Sequence, residues 1–231
     1  METVFTNSSP ISVHLQINMR IDFKNVIPIP LADTPLSPDT CWKKETILDS
    51  QNNYLVEAPS GTGKSTLINI IYGTRPDYEG TVLLDGKDIK DFSIAHWTNL
   101  RQTFFSAVFQ ELRLFPQLTA IENIRIKNNL CATLKEEEII FMAEQLDVAH
   151  RLNQKCGTLS LGQQQRIAII RALAQPFKFI LLDEPFSHLD EANSRKACAL
   201  ISNACQKNQA GLLLTSLGPN TYFNFTGKIV I

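Results

Sequence analysis

The chain has 231 residues and nearly balanced charge, with 22 Lys+Arg against 23 Asp+Glu, so it lacks the basic excess by which nucleic-acid binders and polybasic membrane-surface proteins work. Hydrophobic residues make up 44%, enough for a real core and too many for a disordered chain. The five cysteines are odd in number and contain no C-x-x-C pair, which argues against a disulfide framework or a zinc site and for a reducing compartment. No apolar run approaches the roughly 18–20 residues of a bilayer span, and the first residues lack the basic and apolar regions of a secretory signal. A soluble, intracellular, globular protein is expected.

Residues 1–18 are polar and aperiodic and read as a flexible tail. The segment MRIDFKNV from Met19 alternates as a strand does, and the prolines at 28, 30, 35 and 38 then predict an extended connector. Residues 54–57 read as a short buried strand that runs into a glycine-rich turn. A helix is expected from about Lys64, with Leu67, Ile68, Ile70 and Ile71 inward and Gly73 at its C-terminal cap. Asp85-Gly86 between apolar runs is a hairpin signal.

A helix around 93–101 and a strand around 105–109 come next. From about 111 to 156 strand signals fade, and a charged helix over 135–146 suggests a helical insertion. Then follow a helix over 160–174, a strand over 179–182, a helix over 190–207 and a strand over 211–215. Strands alternating with helices imply an α/β fold with a largely parallel sheet.

Two segments carry chemistry. Ala58-Pro59-Ser60-Gly61-Thr62-Gly63-Lys64-Ser65-Thr66 is close to the phosphate-loop pattern G-x-x-x-x-G-K-[ST]. Backbone N–H groups of such a loop form an anion nest, reinforced by the helix dipole. Lys64 would reach the β- and γ-phosphates of a nucleotide, and Ser65 would offer its hydroxyl to Mg²⁺. Ala58 replaces the first glycine; preceding a proline, it is held extended, where alanine is tolerated.

The second segment, Phe179-Ile180-Leu181-Leu182-Asp183-Glu184, is a buried strand ending in two carboxylates, where ligands of parallel sheets collect. Asp183 is the candidate for the Mg²⁺ shell, and Glu184 for polarising a water. Between these segments, LSLGQQQR opens a helix with a capping box at Ser160 and Gln163. It reads either as a well-capped helix or as a second anion site at Ser160 and Gly162.

The phosphate loop, LSLGQQQR, FILLDEP and SHLD, in this order and spacing, together with Gln110 in VFQ, resemble the ATP-binding cassette (ABC) ATPases over the chain from about Met19 onward. The stretch VFQELRLFPQLTAIENI resembles the lipoprotein-releasing, macrolide-exporting and cell-division group. The resemblance implies a P-loop NTPase core, mostly parallel sheet with an antiparallel β-subdomain, and a helical insertion subdomain at about 111–158 within a cassette of residues 19–231. It also implies ATP hydrolysis with Mg²⁺ held by Ser65, Gln110 and Asp183, with Glu184 and Gln110 as catalytic residues.

A second copy, or a homologous cassette, would complete each ATP site in trans through Ser160, Gly162 and Gln163, with residues 187–190 communicating across the dimer. An integral membrane subunit on another chain would be the further partner, with no nucleic acid involved. The cassette would then lie in the cytoplasm on the inner face of the cell membrane.

Two positions depart from the family pattern. Ser216 stands where the family has a histidine after the strand that follows the catalytic glutamate. No aromatic lies near Pro28 to stack on adenine, leaving Trp42 as a substitute platform or, the favoured reading, a packing residue. Both departures, with Ala58, motivate an alternative function: a nucleotide-gated dimerising or scaffold module with little or no ATPase activity.

Overall fold

The structure, a computed structural model, describes residues 18–35, 39–131 and 134–231, so the tail expected over 1–18 lies outside the described residues except for Asn18. Strand β1 (Arg20–Pro28), with Ile21, Phe23 and Val26 buried, lies inside a four-stranded antiparallel sheet. It pairs with β2 (Thr46–Asp49) on one side and β4 (Tyr78–Leu84) on the other. A two-residue β5 (Lys87–Asp88) folds back on β4 through Asp85 and Gly86, both at positive φ (48° and 78°) as a type I′ hairpin requires. The second strand of this hairpin is shorter than expected, because Asp88 caps a 3-10 turn at Ile89–Asp91 by accepting from the Lys90 N–H.

Apolar runs without alternation predict strands buried on both faces. The five-stranded parallel sheet is built from them in the order β6-β7-β8-β3-β9, with β3 (Asn53–Glu57), β6 (Phe105–Val108), β7 (Phe179–Asp183), β8 (Gly211–Ser216) and β9 (Gly227–Ile229). Along β7, Phe179 and Leu181 face one core with α1 (Lys64–Ile71) and the antiparallel sheet. Ile180 and Leu182 face a second core with α3 (Ala120–Cys131), α4 (Glu136–Gln145), α5 (Leu161–Leu173) and α6 (Glu191–Asn208). Helix α2 (Ile94–Thr103) packs beside β6.

Among the described residues between β6 and α5, helices and connecting loops alternate, with one antiparallel bridge, Thr119 to Lys155. Helix α3 starts at a reciprocal cap: Thr119 Oγ1 accepts from the Glu122 N–H at 3.3 Å, and Glu122 accepts from the Thr119 N–H at 2.8 Å. The proline-rich segment departs at its start from the extended connector that was expected. Pro28 ends β1 opposite Tyr78, and Ile29–Leu31 winds a 3-10 turn, a conformation that the fixed φ of Pro30 favours. Residues 36–38 of the connector lie outside the described residues. No helix among the described residues is long and apolar enough to cross a membrane.

Candidate active site

Strand β3 delivers the chain to a loop at its carboxyl end. There the Ala58 N–H donates to the Ser216 carbonyl at 3.3 Å, tying the loop to β8. Ala58 is buried and keeps a negative φ, so the alanine costs the loop no strain. Gly63 caps α1 at φ 104°, and a Cβ there would lie 2.8 Å from Leu31 Cδ1 and 3.3 Å from Trp42 Cζ2. Glycine is therefore required twice over, by conformation and by the side chains beneath it.

The Lys64 ammonium donates to the carbonyls of Ala58 (2.7 Å) and Pro59 (2.8 Å), while Thr62 Oγ1 donates to Pro59 O at 2.9 Å. Thr66, one turn into α1, accepts from Arg75 at 3.4 Å. The first N–H groups of α1 have no partners within the helix and open toward the loop.

Strand β7 brings its two carboxylates to the same place. Glu184 Oε1 lies 3.3 Å from Lys64 Nζ, and Ser65 Oγ lies 3.5 Å from Gln110 Oε1. Asp183 is buried, and burial pushes its pKa up, opposed by hydrogen bonds from the Ser65 and Thr215 hydroxyls. Pro30, Ser60, Lys64, Ser65, Gln110 and Glu184 line a cavity of about 330 Å³ here. The structure thus gathers Lys64, Ser65, Gln110, Asp183 and Glu184, which the sequence places up to 120 residues apart. Ser65 Oγ, Gln110 Oε1 and the Asp183 carboxylate are all oxygen donors, a set that suits Mg²⁺.

Ser160, Gly162 and Gln163 are not among the residues lining that cavity. Ser160 caps α5, accepting from the Gln163 N–H at 3.3 Å, and Gln163 Oε1 accepts from the Ser160 N–H at 3.0 Å. A Cβ on Gly162 would meet the His188 carbonyl at 2.8 Å, so this glycine lets α5 approach the loop after β7. The packing reading of Trp42 holds: the ring is fully buried, out of reach of a base. Pro30 and Leu31 form the cavity wall near the expected platform, and no aromatic residue is among its described lining.

Two residues at the site go unassigned in the sequence reading, Thr215 and Gln165. Thr215 Oγ1 donates to Asp183 Oδ1 at 2.8 Å and accepts from the Glu184 N–H at 3.1 Å. Gln165 Nε2 donates to the Glu184 carbonyl at 3.1 Å, and its Oε1 accepts from the His188 N–H at 3.0 Å. The available signal for Gln165 is spacing: it sits three and four residues before the buried Ala168 and Ile169, and so on the inward face of α5.

The ABC transporter family model matches residues 48–187. The thiamine import ATP-binding protein ThiQ of Shigella flexneri serotype 5b (strain 8401) is 36% identical over 162 residues, 68% of this chain and 67% of that one. The lipoprotein-releasing system ATP-binding protein LolD of Leptospira interrogans is 32% identical over 163 residues, covering 70% and 69% of the two chains. The dimeric structure of MJ0796, a bacterial ABC transporter cassette, superimposes with a TM-score of 0.71 at 28% identity over 84% of this chain and 87% of that one. The same cassette in a post-hydrolysis dimer bound to ADP and Pi gives 0.69 at 28% identity, covering 86% and 88%.

Proposed function

The chain belongs to the ABC transporter family and is an ATP-binding ATPase, and on that premise we propose that it is the energy-supplying cassette of a membrane transport or mechanotransmission complex. It would act as a head-to-tail dimer with ATP at the interface. The observation that carries the reading is the approach of the Glu184 carboxylate to the Lys64 ammonium, 3.3 Å apart at the carboxyl ends of parallel strands.

Lys64 and the loop amides bind the β- and γ-phosphates. Glu184 takes the proton of a water whose oxygen bonds to the γ-phosphorus as the bridge to the β-phosphate breaks, leaving ADP and phosphate. Ser65, Gln110 and Asp183 would hold Mg²⁺, which neutralises charge on the phosphate oxygens when bound. Ser160, Gly162 and Gln163 of a second copy would close the site over the nucleotide. That role fits their absence from this chain's own cavity.

The cassette runs from 19 to 231, with a helical lobe at about 111–158 toward an integral membrane subunit on another chain. Gln110, where the sheet meets that lobe, would carry the state of the site to that subunit from the cytoplasmic face of the cell membrane. No nucleic acid takes part.

The test is phosphate release by the purified chain, alone and with its co-purifying membrane subunit. Glu184→Gln should lower turnover by at least about 10²-fold while ATP stays bound; equal hydrolysis by parent and variant overturns the assignment. A second reading, the nucleotide-gated module, is favoured by Ser216, which lines a neighbouring cavity that shares Glu184 with the phosphate-loop cavity and stands where the family resemblance calls for an imidazole. Loss of one such donor costs roughly 10²–10³ in rate. ATP-dependent dimerisation without phosphate release, even with the membrane subunit present, would establish this reading.

A further inference from the structure

Glu184 is one of seven described residues other than glycine at positive φ, here 48°. Side chains rarely adopt this region unless the surroundings impose it. Both polar groups of its backbone are held by side chains with almost no exposed surface, Thr215 and Gln165, each 1% exposed. Thr215 Oγ1 accepts from the Glu184 N–H, and Gln165 Nε2 donates to the Glu184 carbonyl.

The register explains why Thr215 can do this. In the parallel ladder Thr215 stands opposite Asp183, the last residue of β7, on one side and Val56, the last but one of β3, on the other. Its single hydroxyl serves both acidic residues, giving its proton to Asp183 and accepting from the Glu184 N–H. Gln165 reaches the same peptide from α5, and its oxygen also holds the His188 N–H.

We infer that Thr215 and Gln165 are positioning residues for hydrolysis, a two-point clamp that holds Glu184 in the left-handed conformation aiming its carboxylate at the Lys64 side of the cavity. The inference rests on the proposed role of Glu184 as the base. Thr215 has a second task that Gln165 lacks, orienting the Asp183 carboxylate. The two residues therefore predict different phenotypes. An error of about 1 Å in the placement of a reacting group can cost on the order of 10²-fold in rate, so the clamp should show in kcat.

The experiment measures steady-state phosphate release against ATP and against Mg²⁺ for the parent chain, Glu184→Gln, Thr215→Val, Thr215→Ser and Gln165→Met, with thermal melts to confirm folding. Thr215→Val and Gln165→Met should each lower kcat by about 10–100-fold with KM for ATP within about twofold of the parent. Thr215→Ser, which keeps the hydroxyl, should restore kcat to within about threefold. The Mg²⁺ concentration for half-maximal rate should rise in Thr215→Val and stay put in Gln165→Met.

Parental kcat in folded Thr215→Val and Gln165→Met overturns the clamp, as does a loss confined to KM or a serine variant as impaired as the valine one. An equal shift in Mg²⁺ dependence for Gln165→Met would move its action from Glu184 to the Mg²⁺ ligands and also refute it. If valine prevents folding at 215, Thr215→Ala takes its place. Failure of the underlying reading looks different: there Glu184→Gln matches the parent, or the parent releases no phosphate, and the inference falls with it.

Discussion

Trp42 has no exposed surface, and its indole Nε1 is buried without a hydrogen-bond partner among the described residues. Its ring lies under Gly63, where a single added carbon would touch it. The residue thus acts on the phosphate loop from below, as a floor that supports the turn into α1. Trp42→Ala should lower the free energy of unfolding by about 3–5 kcal/mol, the usual cost of deleting a buried large aromatic. Trp42→Phe should lose much less, because it keeps most of the ring while removing an orphaned donor. Urea unfolding of the three proteins checks both; equal stability of parent and Trp42→Ala would contradict the floor role.

At the scale of elements, the LTAIEN stretch that resembles one family subgroup has a plain structural job. Thr119 and Glu122 cap α3, and the next residue, Asn123, is completely buried at its first turn. The Asn123 side chain accepts from the Phe115 N–H at 2.8 Å and donates to the Phe115 and Thr119 carbonyls, both at 3.0 Å. It therefore pins the loop leading from Gln110 to the helical lobe. Asn123→Leu keeps the branching of the side chain but strands those backbone groups, and should cost at least about 1–3 kcal/mol. Denaturant titration measures the loss, and a change below about 0.5 kcal/mol would show that water replaces the amide readily.

The same caps bear on the molecule as a whole through its carboxylates. Backbone and side-chain hydrogen bonds from Thr119 hold Glu122 below the usual carboxylate range. The Lys135 N–H and Lys207 do so for Glu138, Lys196 for Asp147, and Asn193 for Asp190. Each of these carboxylates binds protons more weakly in the folded chain than in the unfolded one. Their stabilisation is therefore complete above the unfolded values, about pH 4, and is lost as pH falls through the lower folded values. Asp183 runs the other way, since burial raises its pKa and folding there favours the protonated form. Hydrogen bonds from Lys44 and Arg75 lower Asp39 and Asp77 as well, and six groups against one predict a melting temperature that drops between about pH 5 and pH 3. Thermal unfolding at fixed ionic strength tests this, and a flat or rising profile would refute it.

Across these scales, what can be read from the sequence alone is chemistry written in consecutive residues. The phosphate loop, the acidic strand end, the capping boxes and the Asp85-Gly86 turn are legible because each depends on neighbours within a few positions. Alternation of strands and helices, with apolar runs buried on both faces, gives the α/β class, while the family resemblance rests on the phosphate loop, LSLGQQQR, FILLDEP and SHLD in their order. The short strands β2 and β9 escape that reading, since four and three residues carry too little pattern and pair only because the sheet edges accept them. The clamp around Glu184 escapes it for a related reason. Thr215 meets Asp183 through parallel register between strands 32 positions apart, and Gln165 reaches Glu184 across the packing of α5 on β7. Local spacing determines which groups the chain carries to its sheet, whereas register and close packing between distant segments determine which of them touch.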